Sequence, residues 1–193
     1  MFAIDFEASC LPRHGRSFPI EVGIASQSGW TRSWLIRPEP DWASWTWNEG
    51  AERLHGISRA QLFADGRSVT AVMAELNAAL TGCHVIADHD LDRYWLGTLA
   101  TAARVPSRFG IEHIASVIEE YRPSRAMIDF AKAEADWQVP TRHRAGPDAL
   151  WLATFATHIV PHHAEALHFE TAWSTSASSA AERGLSDLAL VLP

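Results

Sequence analysis

Phe2-Ala-Ile-Asp-Phe-Glu-Ala-Ser9 is an apolar run interrupted by two acids at alternate positions. Such a run predicts a buried strand. Side chains two apart on a strand share a face, so Asp5 and Glu7 stand side by side. Two neighbouring carboxylates in apolar surroundings lose solvation and repel each other. A solvated face on an edge strand relieves that cost. So does a bound divalent cation, because hard cations prefer oxygen ligands. The apolar neighbours Ala3, Ile4 and Phe6 favour the cation.

Working outward, Pro19-Ile-Glu-Val-Gly-Ile-Ala25 and Trp30-Thr-Arg-Ser-Trp-Leu-Ile-Arg37 predict a second and a third strand. Gly29 between them suits a hairpin turn, and Pro38 and Pro40 end the strand. Residues 41–67, rich in Trp and polar residues, predict short helices and loops. Ser68 to Leu80 carries apolar residues at helical spacing, with Ser68 as N-cap and Gly82 as the stop. Cys83-His-Val-Ile-Ala87 predicts a fourth strand, Asp92 to Arg104 a helix, and Gly110-Ile-Glu-His-Ile114 a fifth strand. Arg125 to Trp137 and Pro147 to Ile159 predict two more helices, the latter opening on proline. Strands first, then alternating helix and strand, predict an α/β layer with a mixed sheet. The small polar residues of 171–187 predict a linker or tail. The apolar Leu188-Ala-Leu-Val-Leu192 suits docking on the domain or on a partner.

At 193 residues, 47% hydrophobic and 20% charged, the chain affords one domain with a sizeable core. A net charge of −7 argues against coating long nucleic acid electrostatically. It leaves a metal-loaded cleft open, since bound cations reverse the local sign. Two cysteines, Cys10 and Cys83, exclude a disulfide framework and a four-cysteine zinc site. No apolar run reaches the roughly 18–20 residues that span a bilayer. No basic segment followed by an apolar run opens the chain, so the expectation is a soluble, cytoplasmic protein.

Further acids follow the fourth strand in Ala87-Asp-His-Asp-Leu-Asp-Arg-Tyr-Trp-Leu96, at Asp88, Asp90 and Asp92. Taken alone, acids at a helix start favour the helix dipole and cap free amides. His143-Arg-Ala-Gly-Pro-Asp148 places a histidine in a loop and an acid in the first turn of a helix. Together with Asp5 and Glu7 the pattern changes meaning. Four acids could hold two metals, and a nearby histidine could deprotonate a water.

These segments, in this order, resemble the DEDD exonuclease superfamily, in its histidine-bearing (DEDDh) branch with ribonuclease T, oligoribonuclease and polymerase proofreading domains. Asp5-Phe-Glu7 with Ala8-Ser-Cys-Leu11 resembles the first motif, and Pro19-Ile-Glu-Val-Gly23 its companion strand. Leu54-His-Gly-Ile57 resembles the family's His-Gly-Ile turn, and Asp92-Arg-Tyr-Trp-Leu96 the end of the second motif. His143-Arg-Ala-Gly-Pro-Asp-Ala149 matches the third, His-x-Ala-x-x-Asp-Ala. The His-Asn that precedes the aspartate of the second motif is replaced by a shortened Asp88-His-Asp-Leu91. The resemblance gives the metal role to Asp92, because Trp95-Leu96 follows it at the family's spacing, with Asp88 or Asp90 as rival.

The resemblance implies an RNase H-like domain over residues 1–165, with a mixed five-stranded sheet, and a partly flexible extension over 166–193. It implies that Asp5, Glu7, Asp92 and Asp148 bind two divalent cations, Mg²⁺ or Mn²⁺, with His143 as general base. It implies a 3′→5′ exonuclease releasing nucleoside 5′-monophosphates from single-stranded DNA or RNA ends or short oligonucleotides. Phe6, Ala8, Leu11 and His55 would contact the terminal nucleotide. A homodimer stays open. The alternatives are a catalytically inactive nucleic-acid-binding module and an accessory subunit on the same fold.

Other residues read more plainly. Trp42, Trp45 and Trp47 fit packing under a long connection better than a nucleotide groove. His158, His162 and His163 lack a cysteine or acid to complete a zinc set. Cys10 and Cys83 read as buried small residues. Lys132 is the only lysine, so phosphate contact falls to arginines, with Arg142 and Arg144 the candidates beside His143.

Overall fold

The structure, a computed structural model, describes residues 1–160. The end of the expected domain, residues 161–165, the extension 166–193, and His162 and His163 lie outside the described residues. Five strands, β1 (Phe2–Ala8), β2 (Pro19–Ser26), β3 (Thr31–Leu35), β4 (Val85–Ala87) and β5 (Ile111–His113), form one sheet in the order β3-β2-β1-β4-β5. β1 pairs antiparallel with β2 and parallel with β4. β3 is antiparallel to β2, and β5 parallel to β4. The expected mixed sheet is therefore present. Gly29 takes the left-handed φ of +88° that the β2–β3 turn requires.

The helices are α1 (Glu49–His55), α2 (Arg59–Asp65), α3 (Val69–Leu80), α4 (Leu91–Ala103), α5 (Ile114–Tyr121), α6 (Arg125–Gln138) and α7 (Ala145–Ile159). Ser68 caps α3, its hydroxyl accepting from Ala71 N. Ala3 of β1, Ala25 of β2 and Ile86 of β4 pack under α5, α6 and α7. Alternation along β1 puts Asp5 and Glu7 on the same face as Ala3. Ile4 and Phe6 face the other layer, where α3 and α4 pack. Among the described residues no helix is long and apolar enough to cross a membrane.

Two elements differ from the sequence reading. Residues 115–121 carry no predicted helix, and Ile114 is assigned to a strand; the chain instead enters α5 directly from β5. The cap is a histidine, His113, whose Nδ1 accepts from Ala115 N at 3.0 Å. A short helix with an unusual cap and no intervening loop leaves little signal. Helix α7 starts at Ala145, two residues ahead of Pro147. Its N-cap, Arg144, offers no side-chain acceptor. The acceptor comes from β2: the Glu21 carboxylate takes the Ala145 N–H at 3.1 Å. Trp42 packs beneath the 41–47 connection, stacked on Phe18 at 5.2 Å, whereas Trp45 and Trp47 are only half-buried. Cys10 is buried as expected, whereas Cys83 is only half-buried.

Candidate active site

Asp5 stands at the centre of two carboxylate groups. Ligand atoms of Asp5, Glu7 and Asp148 lie within 4.8 Å of one another, and so do those of Asp5, Asp88 and Asp92. Four elements supply them. Strand β1 brings Asp5 and Glu7, and the turn after β4 brings Asp88. The first turn of α4 brings Asp92, and the first turn of α7 brings Asp148. The parallel β1–β4 pairing sets the ends of both strands beside each other. That is why residues more than 80 apart in sequence converge.

The convergence is possible because of Gly23. It sits opposite Asp5 in the β1–β2 register. A Cβ there would collide with the Ala145 carbonyl and the Gly146 nitrogen. Only glycine lets the start of α7 lie on the sheet and deliver Asp148 to Asp5. Glu21, opposite Glu7 in the same register, then holds the helix end. It is 2% exposed and accepts from Arg144 Nε at 2.8 Å and Nη2 at 2.7 Å. A buried carboxylate at a helix N-terminus is stabilised by the free amides and by the dipole. The fork from Arg144 completes its pairing.

The cluster carries an electrostatic load. Burial, and then Asp92, Glu7, Asp148 and Asp88 in turn, push the Asp5 carboxyl well above the ordinary carboxylate range. Glu7 rises to about 8, through burial and then the neighbouring Asp148 and Glu21, with Arg144 opposing. Asp92 also rises to about 8, through burial and then Asp88, partly offset by the Phe6 and His89 backbone amides. Asp92 is 1% exposed, and its Oδ2 has no hydrogen-bond partner within the protein. A buried carboxylate oxygen without a donor is costly, and a cation between it and Asp5 removes the cost. The donors are all hard oxygens, so the set fits Mg²⁺ or Mn²⁺.

The remaining expected residues take distinct places. Asp90 turns away to Arg93, 2.9 Å from its Nη1, and so leaves the cluster; Asp88 joins it alongside Asp92. His143 is exposed in the α6–α7 loop at a left-handed φ of +68°. Its backbone N–H donates to Asp148 Oδ2 at 2.8 Å. Asp148 also pairs with Arg142, whose guanidinium lies 4.5 Å over the Trp151 ring. Both candidate phosphate arginines thus already have carboxylate partners. Phe6 and Ala8 have buried side chains, which leaves mainly their backbone for any contact; Leu11 is exposed. His55 is 4% exposed and edge-on to Trp47. Its Nδ1 accepts from Ile57 N at 3.0 Å, so Nε2 carries the proton, and that buried donor has no partner. Burial holds its pKa below the ordinary histidine value.

Glu21 and Gly23 are the site residues that sequence reasoning missed. Their signal lay in the alignment of Pro19-Ile-Glu-Val-Gly23 beside Asp5 and Glu7, which needs the strand register to be read.

No protein-family model matches the sequence, and no curated protein matches it. Solved structures do. A 3′-exonuclease, in a structure of 3′-end-specific recognition of a histone mRNA stem-loop, is 18% identical. That match covers 81% of this chain and 79% of the other, with a TM-score of 0.59. E. coli exonuclease I in complex with a dA16 oligonucleotide is 14% identical, over 82% of this chain and 40% of the other, with a TM-score of 0.58. Exonuclease I from Methylocaldum szegediense is 13% identical, over 80% and 38%, with a TM-score of 0.56. The chain therefore spans well under half of the exonuclease I chains. At these identities the likeness establishes the fold alone: a mixed five-stranded α/β domain shared with these structures.

Proposed function

We propose that this chain is a metal-dependent 3′→5′ exonuclease that releases nucleoside 5′-monophosphates from the ends of single-stranded or short nucleic acid. The observation that carries the reading is Asp5 shared between two carboxylate triads, one of which holds the orphaned, buried Asp92 Oδ2. The neighbours in fold, which include an exonuclease bound to an oligonucleotide and one bound to an RNA stem-loop, support the substrate class.

Two divalent cations at such a site supply an activated water and Lewis-acid relief of charge on the phosphate and leaving oxygens. Asp5, Glu7 and Asp148 would hold one, and Asp5, Asp88 and Asp92 the other. The chain's own residues do the rest. His143, exposed beside Asp148, accepts the proton of the attacking water as general base. A cation held by Asp148 would displace Arg142 from that carboxylate and free its guanidinium for a phosphate oxygen. Leu11 is the exposed group offered to the terminal nucleotide, while His55 lies buried.

The test is degradation of 5′-labelled single-stranded DNA and RNA with Mg²⁺, Mn²⁺ or chelator. A ladder shortening from the 3′ end is expected, lost with chelator and in Asp5→Asn. His143→Ala should lower kcat by about 10²–10⁴ and leave binding intact. Intact substrate under every ion, with binding retained, would sink the enzyme reading in favour of a nucleic-acid-binding module.

A further inference from the structure

A second concavity lies outside the carboxylate cluster, with a volume of about 970 Å³. One wall is the outer face of α4. The other is built by the loop after β1 and by the tryptophan-rich connection before α1. Both walls are tied to the site. Asp92 lies in the first turn of the helix whose next residues, Arg93 and Tyr94, line the groove. The loop after β1 continues the strand that carries Asp5 and Glu7. Ser17 in that loop accepts from Trp95 Nε1 at 2.9 Å and donates to Cys10 O at 2.5 Å, so the two walls are joined by hydrogen bonds.

The chemistry of the lining is unusual for this molecule. Arg16 and Arg104 face the groove beside the carboxylates of Glu39 and Asp41, while Arg93 on the same wall is held by Asp90 and by the Ile111 carbonyl. In a chain of net charge −7, two arginines in one groove without an ion-pair partner among the described residues stand out. Arg16 lies 4.1 Å over the Trp45 ring, a cation–π pair, and has no carboxylate partner among the described residues. Tyr94 is 42% exposed, with its hydroxyl 3.4 Å from Ser17 O. Arg104 closes α4 at a left-handed φ of +53°, where glycine would be relaxed, and its guanidinium has no ion-pair partner among the described residues. Gly97 and Ala102 keep the floor between Tyr94 and Arg104 low.

We infer that this groove binds the single strand on the 5′ side of the nucleotide held at the carboxylate site. Guanidinium groups meet phosphates, while Tyr94 and the Arg16–Trp45 pair give bases flat surfaces to stack on, a combination indifferent to sequence. From Asp92 to Arg104 the helix runs about 18 Å at its rise of about 1.5 Å per residue, enough for a few nucleotides of extended strand. The inference rests on the exonuclease reading for its direction, but not for its binding. Substrates too short to leave the carboxylate site would gain nothing from the groove.

The experiment uses the full chain, fluorescein-labelled dT2 and dT12, and EDTA to prevent cleavage. The variants are Arg16→Gln with Arg104→Gly, and Tyr94→Ala; Arg104→Gly relaxes the backbone and so preserves folding. Each variant is expected to bind dT12 about tenfold more weakly and dT2 unchanged. The salt slope for dT12 should fall by about 1.4 in the double arginine variant, at about 0.7 per phosphate contact. Equal affinity for dT12 in wild type and variants, equal weakening for both lengths, or no binding of dT12 by wild type would overturn the groove. A parallel Mg²⁺ assay separates the two readings. Cleavage by wild type with an unchanged dT12 affinity in the variants overturns the groove alone. A length-dependent binding loss without any cleavage leaves the groove standing and removes the enzyme.

Discussion

At Asp92 burial works against ionisation. The carboxyl stays protonated up to about pH 8 in the folded chain, whereas in the unfolded chain it ionises in the ordinary carboxylate range. Glu7 behaves in the same way. Between the two ranges the folded state binds more protons, so stability falls as pH rises from about 4 to about 8. Asp92→Asn cannot ionise. With chelator present, its melting temperature should decline less across that window than that of wild type. A difference of several degrees is expected, at about 2–4 °C per kcal/mol for a chain of this size. Thermal melts at pH 5 and pH 8 check it, and parallel declines would show that Asp92 ionises without cost. Arg142 poses the opposite case, since its pairing with Asp148 competes with any cation there. Arg142→Ala should raise Mn²⁺ affinity roughly tenfold, the worth of one charge-assisted hydrogen bond. Titration calorimetry without nucleic acid reads it.

Among the elements, α7 matters most because its first turn carries Asp148 and its body roofs β1 and β2. Its position depends on a contact with no spare volume, between Gly23 and the backbone at Ala145 and Gly146. Gly23→Ala must push the helix end off the sheet. The expected cost is about 1–3 kcal/mol of stability, from overpacking. Activity should fall further than stability, because Asp148 moves away from Asp5. Chemical denaturation and the 3′-ladder assay together check this. A stable, fully active Gly23→Ala would mean that α7 does not need so close an approach. Strand β1 was readable because the period of two is local. Helix α5 was not, because His113 caps it where Ser, Thr, Asp or Asn would be expected.

For the molecule as a whole, the site lies where both helical layers reach the same end of the sheet. Carboxyl groups from β1, α4, α7 and the turn after β4 crowd one another there, and Asp148 alone among them pairs with an arginine of the described residues, so ionising the cluster costs the fold stability. Cation binding should therefore stabilise the whole domain. At a cation concentration about 100 times Kd the gain is about 2.7 kcal/mol, equivalent to roughly 5–10 °C in Tm. Melts with and without Mg²⁺ or Mn²⁺ at pH 8 measure it. No shift with either ion would remove the metal from the site.

The sequence by itself determined the pairing of Asp5 with Glu7, because alternation along a strand is a property of neighbouring residues. It determined the start of α3 at Ser68, because a cap acts within one turn. It also carried the order of the motifs through Asp148. Only the tertiary structure decided that Asp88 joins Asp92 while Asp90 turns to Arg93. It alone showed Glu21 serving as the cap of α7, with Arg144 bound to it rather than free. Those choices depend on strand register and on helix ends meeting across more than a hundred residues, and no local pattern encodes which of several acids will be nearest when they meet.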